Sequence, residues 1–279
     1  MATAAAPLRR LLAEKRHYLV DLDGVVYHGS RLVSGADRAI RLFREMGKDV
    51  FFLTNNSTRH PKNIAEKLTK LGVACAVDDV VNSALGAAAF LRERSLDRPN
   101  GVLVIGTDEL RALLDEHGIA VSSNPGRCSA LLVGMDPDMS LATITRGLRA
   151  LSRGVPFIAC NRDANYPGEG GALQPGCGAL VGALAAAAQR QPDHEIGKPS
   201  AGLMQMLLRR TGARREECLV FGDSLETDIA MANAAGIDSL WVRPPRMAPG
   251  LRRGGTRPTA TVANLKEAAA VLKASARTP

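Results

Sequence analysis

Apolar residues fall along this chain in two alternating rhythms. Short apolar runs at Tyr18–Val20, Val50–Leu53, Gly101–Ile105, Ala130–Val133, Pro156–Ala159, Cys218–Phe221 and Asp238–Val242 read as buried strands. Between them, apolar positions recur at helical spacing. From Ala36 to Met46 they are Ala39, Ile40, Leu42, Phe43 and Met46, and the stretch closes at Gly47. Helices are predicted likewise from about Pro61 to Leu71, closed by Gly72, and over 108–117, 141–151, 178–189, from 229 to Ala235, and 263–272. Strand followed by helix followed by strand implies parallel strands joined by right-handed crossovers. The fold class is therefore α/β, a doubly wound parallel sheet.

The alternation is interrupted once. Residues 80–195 form what reads as a second α/β unit, inserted into a first made of 1–79 and 196–279. Inside the insertion, Asn161–Gly178 is rich in glycine and proline, and a loop of that length in a compact domain is usually functional or disordered. Pro199 is expected in the first turn of the helix after Lys198. Asp238–Val242 is expected as the last core strand, with Trp241 filling space at the sheet edge and 243–258 a loop or tail.

Ligands of such sheets sit beyond the carboxyl ends of the strands, and four groups of polar residues fall there. Asp21 and Asp23 follow the first strand. In extended chain, residues i and i+2 share a side, so both carboxylates face one pocket, and Gly24 lets the chain turn away. Thr54, Asn55 and Asn56 follow the second strand, Lys198 opens a helix, and Asp223 and Asp228 follow the Cys218–Phe221 strand. Taken singly, Thr54 reads equally as a helix cap, and Asp223 with Asp228 as a cap and a dipole partner. Together they supply what phosphoryl transfer through a covalent intermediate requires: an attacking carboxylate, a second acid, a hydroxyl, a fixed cation and oxygen ligands for a hard divalent ion, Mg2+.

Composition narrows the partners. The chain has 279 residues and a net charge of +8. Residues 1–16 carry +3 and 243–279 carry +7, leaving the body at −2. The basic excess thus belongs to the ends, without interleaved aromatics, and no nucleic-acid partner is expected. No apolar run reaches membrane-spanning length and the N-terminus lacks a secretory pattern, so no membrane partner and a cytoplasmic location are expected. Five cysteines without a close pair suggest neither zinc nor disulfides. With aromatics at 4%, the core is expected to rest on Leu, Val, Ile and Ala.

In its four motifs, Asp21-x-Asp23-Gly24, Thr54-Asn55-Asn56, Lys198-Pro199 and Gly222-Asp223-x4-Asp228, the chain resembles the haloacid dehalogenase superfamily, specifically the type-II-cap branch of nitrophenylphosphatase, phosphoglycolate and nucleotide phosphatases. The resemblance implies a magnesium-dependent phosphomonoester hydrolase with Asp21 as nucleophile and Asp23 as general acid/base. It implies that Thr54 and the amide of Asn55 hold the phosphoryl group, with Asn56 beside them, and that Lys198 neutralises it. Magnesium would be bound by Asp21, the Asp23 carbonyl and Asp223, with Asp228 in support. Residues 80–195 would be the cap, its loop residues Asn161 and Asp163 helping to select the substrate, and the cap would pair two chains into a homodimer. Phosphoglycolate, glycerol phosphate or nucleoside monophosphates are the implied substrates, with pyridoxal phosphate or sugar phosphates as the alternative. A phosphoaspartate signalling module is a remote alternative, because such a module keeps its phosphate and needs no second acid at Asp23.

Overall fold

A computed structural model of the chain describes residues 5–167, 172–244 and 255–275. They divide into two compact units, one of residues 1–54, 65–81 and 198–279 and the other of 55–64 and 82–197. Most of the tail stretch 243–258 and the middle of the glycine-rich loop, 168–171, lie outside the described residues.

The first unit is built on a six-stranded sheet in the order Ala260–Val262, Asp238–Val242, Cys218–Gly222, His17–Asp21, Asp49–Thr54, Val80–Asn82. The His17–Asp21 strand pairs in parallel with Asp49–Thr54 on one side and Cys218–Gly222 on the other. The chain thus leaves the central strand toward one edge and later returns toward the other. The place where that direction reverses, between His17–Asp21 and Cys218–Gly222, is where the loops part and leave a crevice. The Ala260–Val262 strand adds parallel to Asp238–Val242, so the latter is interior and not the last strand. Three residues, two of them not buried, gave no apolar run to read.

The core of this unit rests mainly on Leu, Val, Ile and Ala, as composition suggested, with a few aromatics set among them. The few aromatics are concentrated inside: Tyr18, Phe43 and Phe221 are all fully buried. Tyr18 meets Phe43 edge-on at 4.9 Å and Phe221 at 5.0 Å between ring centroids. Its hydroxyl donates to the carbonyl of Leu12 at 2.7 Å, in the last turn of an Ala5–Glu14 helix that apolar spacing had not revealed. That carbonyl is one of those a helix end leaves without an internal partner, so a buried side chain of the strand also caps the helix before it.

The second unit carries a five-stranded sheet, ordered His194–Glu195, Phe157–Ala159, Ala130–Val133, Val102–Ile105, Val121–Ser122, with every neighbouring pair parallel. The expected long loop is shorter than it looked. Asn165–Pro167 and Leu173–Pro175 pair as an antiparallel hairpin, and the helix begins at Cys177. Cys160 and Cys177 are both buried, and all five cysteines are free thiols. No helix among the described residues is long and apolar enough to cross a membrane.

Replacing Tyr18 by Phe keeps the ring and strips the hydroxyl, leaving the Leu12 carbonyl buried without its donor. The substitution should cost about 1–3 kcal/mol of stability, measured by urea unfolding followed by circular dichroism; an unchanged midpoint would show that water replaces the hydroxyl.

Candidate functional site

The reversal point of the first unit gathers one buried cation and several carboxylates. Asp21 ends the central strand, and register sets it beside Leu53, the residue before Thr54, on one neighbour. On the other, Val20 pairs with Phe221, which puts Gly222 and then Asp223 at the same level. Lys198 reaches in from the segment ahead of the Gly202–Thr211 helix. Pro199 precedes that helix, where it had been expected inside the first turn; Ser200 and Ala201 turn the chain before it begins.

The Lys198 ammonium pairs with Asp21 Oδ1 and, at 2.7 Å, with Asp228 Oδ1. The three side chains are almost sealed: Asp228 is 1% exposed, Lys198 5% and Asp21 6%. The second Asp228 oxygen accepts the backbone N–H of Ser224 at 3.2 Å. Asp228 is delivered by a wide helical turn, Leu225–Ile229, closed by i to i+5 bonds and continued as an ordinary helix to Ala235. Such widened turns recur at functional sites. Nothing in the apolar spacing announces one.

Glycines keep the carboxylates close. A Cβ on Gly24, whose φ is +86°, would fall 1.9 Å from Asp223 Oδ2, and one on Gly222 would fall 2.1 Å from the Asp228 Cβ. The Gly24 amide donates to the Tyr27 carbonyl at 2.8 Å, closing the turn that carries Asp23. Asp23 is exposed, unlike Asp21. Trp241, read from sequence as a space-filler, donates its indole N–H to the Asp223 carbonyl at 2.8 Å.

The electrostatic result is strain that one lysine only partly relieves. Burial, then the charge of Asp228, holds the Asp21 carboxyl well above its ordinary range, against the pull of Lys198. Burial and Asp228 likewise push Asp223 up to about 7. Burial alone would lower Lys198, but Asp21 and Asp228 together raise it. Carboxylate oxygens of Asp21, Asp223 and Asp228 lie within 4.8 Å of one another. An all-oxygen, all-anionic donor set of this size suits a hard divalent cation, and such an ion would relieve the repulsion.

The remaining sequence candidates fall as follows. Thr54 ends its strand and is buried in the first unit. Asn55, Asn161 and Asp163 come together within the second unit. The Asn55 carboxamide donates to both oxygens of Asp163, and the Asn161 carboxamide donates to the Asn55 carbonyl. The Asn56 side-chain oxygen accepts from the backbone of Thr58 and Arg59, an Asx turn. Arg162 pairs with Glu195 at 2.9 Å.

Comparison with known proteins follows the same lines. Residues 18–120 match the haloacid dehalogenase-like hydrolase family and 195–268 a second description, HAD-hydrolase-like. The chain is 32% identical over 225 residues to the 5'-nucleotidase YutF of Bacillus subtilis, covering 81% of this chain and 86% of that protein. It is 32% identical over 224 residues to the sugar-phosphatase AraL of the same organism, covering 80% and 81%. The crystal structure of a glycerol phosphate phosphatase from Mycobacterium tuberculosis in complex with magnesium superposes with a TM-score of 0.81 at 30% identity, covering 92% of this chain and 77% of that one.

Lys198→Met removes the cation from between two buried carboxylates and should cost about 3–5 kcal/mol at pH 7.5, measured by urea unfolding in chelator. Asp21 already binds its proton more tightly folded than unfolded, which makes stability fall as pH rises above the ordinary carboxylate range. Losing Lys198 sharpens that trend, so the deficit should be smaller at pH 5 than at pH 7.5. A deficit that grew on acidification would contradict the ion-pair account.

Proposed function

The chain belongs to the haloacid dehalogenase-like hydrolase family, and on that premise we propose that it is a magnesium-dependent phosphatase of small phosphometabolites in which Asp21 is the nucleophile. The chain is an enzyme of the phosphoric monoester hydrolase class. The observation that carries the residue assignment is the buried Lys198 bridge between Asp21 and Asp228 at the sheet's reversal point. An ammonium bonded to one Asp21 oxygen fixes the carboxylate in direction and offsets charge where an anionic phosphoryl group must approach.

In the reaction, the Asp21 carboxylate attacks phosphorus and the bond to the leaving oxygen breaks. Asp23 gives that oxygen a proton, then takes one from the water that cleaves the aspartyl phosphate, releasing phosphate and restoring Asp21. Exposure of Asp23 suits a group that must exchange with substrate and water in turn. Thr54 and the Asn55 amide hold the phosphoryl oxygens. Asp21, the Asp23 carbonyl and Asp223 would hold magnesium, with Asp228 supporting; the ion supplies charge that offsets carboxylate–phosphate repulsion. The second unit, an insertion in sequence, serves as the cap and decides the leaving group.

Relatives named for nucleotides, sugar phosphates and glycerol phosphate support a substrate among phosphoglycolate, glycerol phosphate and nucleoside monophosphates, with sugar phosphates or pyridoxal phosphate next. Tyr166 and Leu173, exposed on the second unit's hairpin, support a homodimer through that unit, read by sedimentation. Five free thiols suit a reducing compartment, and we place the protein in the cytoplasm.

A panel of phosphomonoesters with magnesium should show phosphate release that EDTA stops and added magnesium restores. Asp21→Asn should retain its fold and lose turnover; more than a few per cent of wild-type rate would remove Asp21 as nucleophile. Asp23→Ala should lower kcat about 10²- to 10⁴-fold on alkyl phosphates and less on nitrophenyl phosphate, whose leaving group needs little protonation. Equal losses on both would argue against Asp23 as the acid.

A further inference from the structure

In the second unit, a set of polar contacts converges on Asn55 that phosphoryl transfer itself does not demand. Asn55 is buried. Its carboxamide donates to the two Asp163 carboxylate oxygens at 3.1 and 3.0 Å. Its main-chain carbonyl accepts from the Asn161 carboxamide at 2.7 Å and from the Ser83 hydroxyl at 2.7 Å. Its side-chain oxygen lies against Gly197, where a Cβ would come within 2.4 Å. Asn55 is held through its side chain and its backbone at once.

The residues doing the holding are themselves fixed. The Asn161 side-chain oxygen accepts the Asp163 amide at 3.1 Å. The Asp163 carbonyl accepts the amide of Gly178 at 2.9 Å, and the Ala164 carbonyl accepts that of Gly176 at 2.9 Å. Both glycines are required for this approach, since a Cβ at Gly176 would lie 2.1 Å from the Asp163 carbonyl oxygen and one at Gly178 2.4 Å from that of Arg162. Gly176 and Gly178 are what let the backbone pack tightly enough to aim Asp163 at Asn55.

We propose that Asp163 is a positioning residue for phosphoryl transfer: it orients Asn55, and through it the main-chain amide that receives the phosphoryl oxygens, instead of selecting the leaving group. This rests on the reading of the Asn55 amide as a phosphoryl ligand. A backbone N–H is an effective donor only when well aligned, and a carboxylate is a stronger hydrogen-bond acceptor than a neutral oxygen. Asn161 completes the arrangement by fixing the carbonyl end of the same residue. A carboxylate bonded to Asn55 through both oxygens is aligned by the enzyme's own backbone, so its effect falls on every substrate alike.

The test compares Asp163→Ala and Asp163→Asn with the wild-type chain, in magnesium, on acetyl phosphate, nitrophenyl phosphate and the best alkyl phosphate from a panel. Asp163→Ala should lower kcat by the same factor on all three, on the order of 10- to 100-fold, and weaken inhibition by vanadate to a similar degree. Asp163→Asn, which keeps an acceptor oxygen, should recover part of the rate. Asn55→Ala with Asp163→Ala should be no slower than Asn55→Ala alone, because both remove one linkage. Loss confined to the larger esters, with acetyl phosphate spared, overturns the proposal in favour of leaving-group contact. Additive losses in the double variant, or a lower melting temperature with kcat unchanged, overturn it too. Absence of phosphate release by the wild-type chain from every ester overturns the phosphatase reading and this inference together.

Discussion

Two carboxylates and one ammonium, shut away from water, set the terms for the first unit. Burying Asp21 and Asp228 without Lys198 would leave charge that the interior does not tolerate, and burying Lys198 without them would be as unfavourable. Each is admissible only because the others are present. The flanking architecture follows from this: Gly24 and Gly222 give up side chains so that Asp223 and Asp228 can approach, and a widened helical turn brings the Asp228 carboxylate to the lysine and to the Ser224 amide. The ion pair does not finish the neutralisation. Three carboxylates against one ammonium leave an excess of negative charge, which is the electrostatic form of a cation site.

What the chain's residue pattern revealed about this site, and what it hid, divides along physical lines. Asp21, Thr54 and Asp223 were legible because each ends a short apolar run, and parallel strands present those ends at one edge. Lys198 and Asp228 were legible as candidates, but their mutual contact spans 30 residues and depends on the turn geometry between them. Hydrophobic periodicity reports which face of an element is buried, not where a polar side chain reaches. The Asn55–Asp163 pair, 108 residues apart, is of the same kind. So is the role of Trp241, whose buried ring looked like packing while its N–H held the Asp223 backbone.

The fold itself was legible to the same depth. Strands that read as apolar runs are those buried on both faces, as crossover topology demands. The Ala260–Val262 strand and the Ala5–Glu14 helix escaped notice because the first is short and half exposed and the second has a polar, basic surface over a narrow apolar stripe. Glycine was the signal with more than one physical reading. Around 161–178 it pointed to a functional or disordered loop, and Gly176 and Gly178 occupy positions where any side chain would collide with the backbone, so their absence of a Cβ serves close packing.

Trp241 is the chain's single tryptophan. Its indole nitrogen is bonded to the backbone of Asp223, one of the crowded carboxylates. An indole's emission depends on the field and hydrogen bonding at its ring, and no second tryptophan contributes a background. The protein therefore carries one intrinsic fluorophore hydrogen-bonded to the backbone of a crowded carboxylate, so its emission reports on that one segment of the chain without a label.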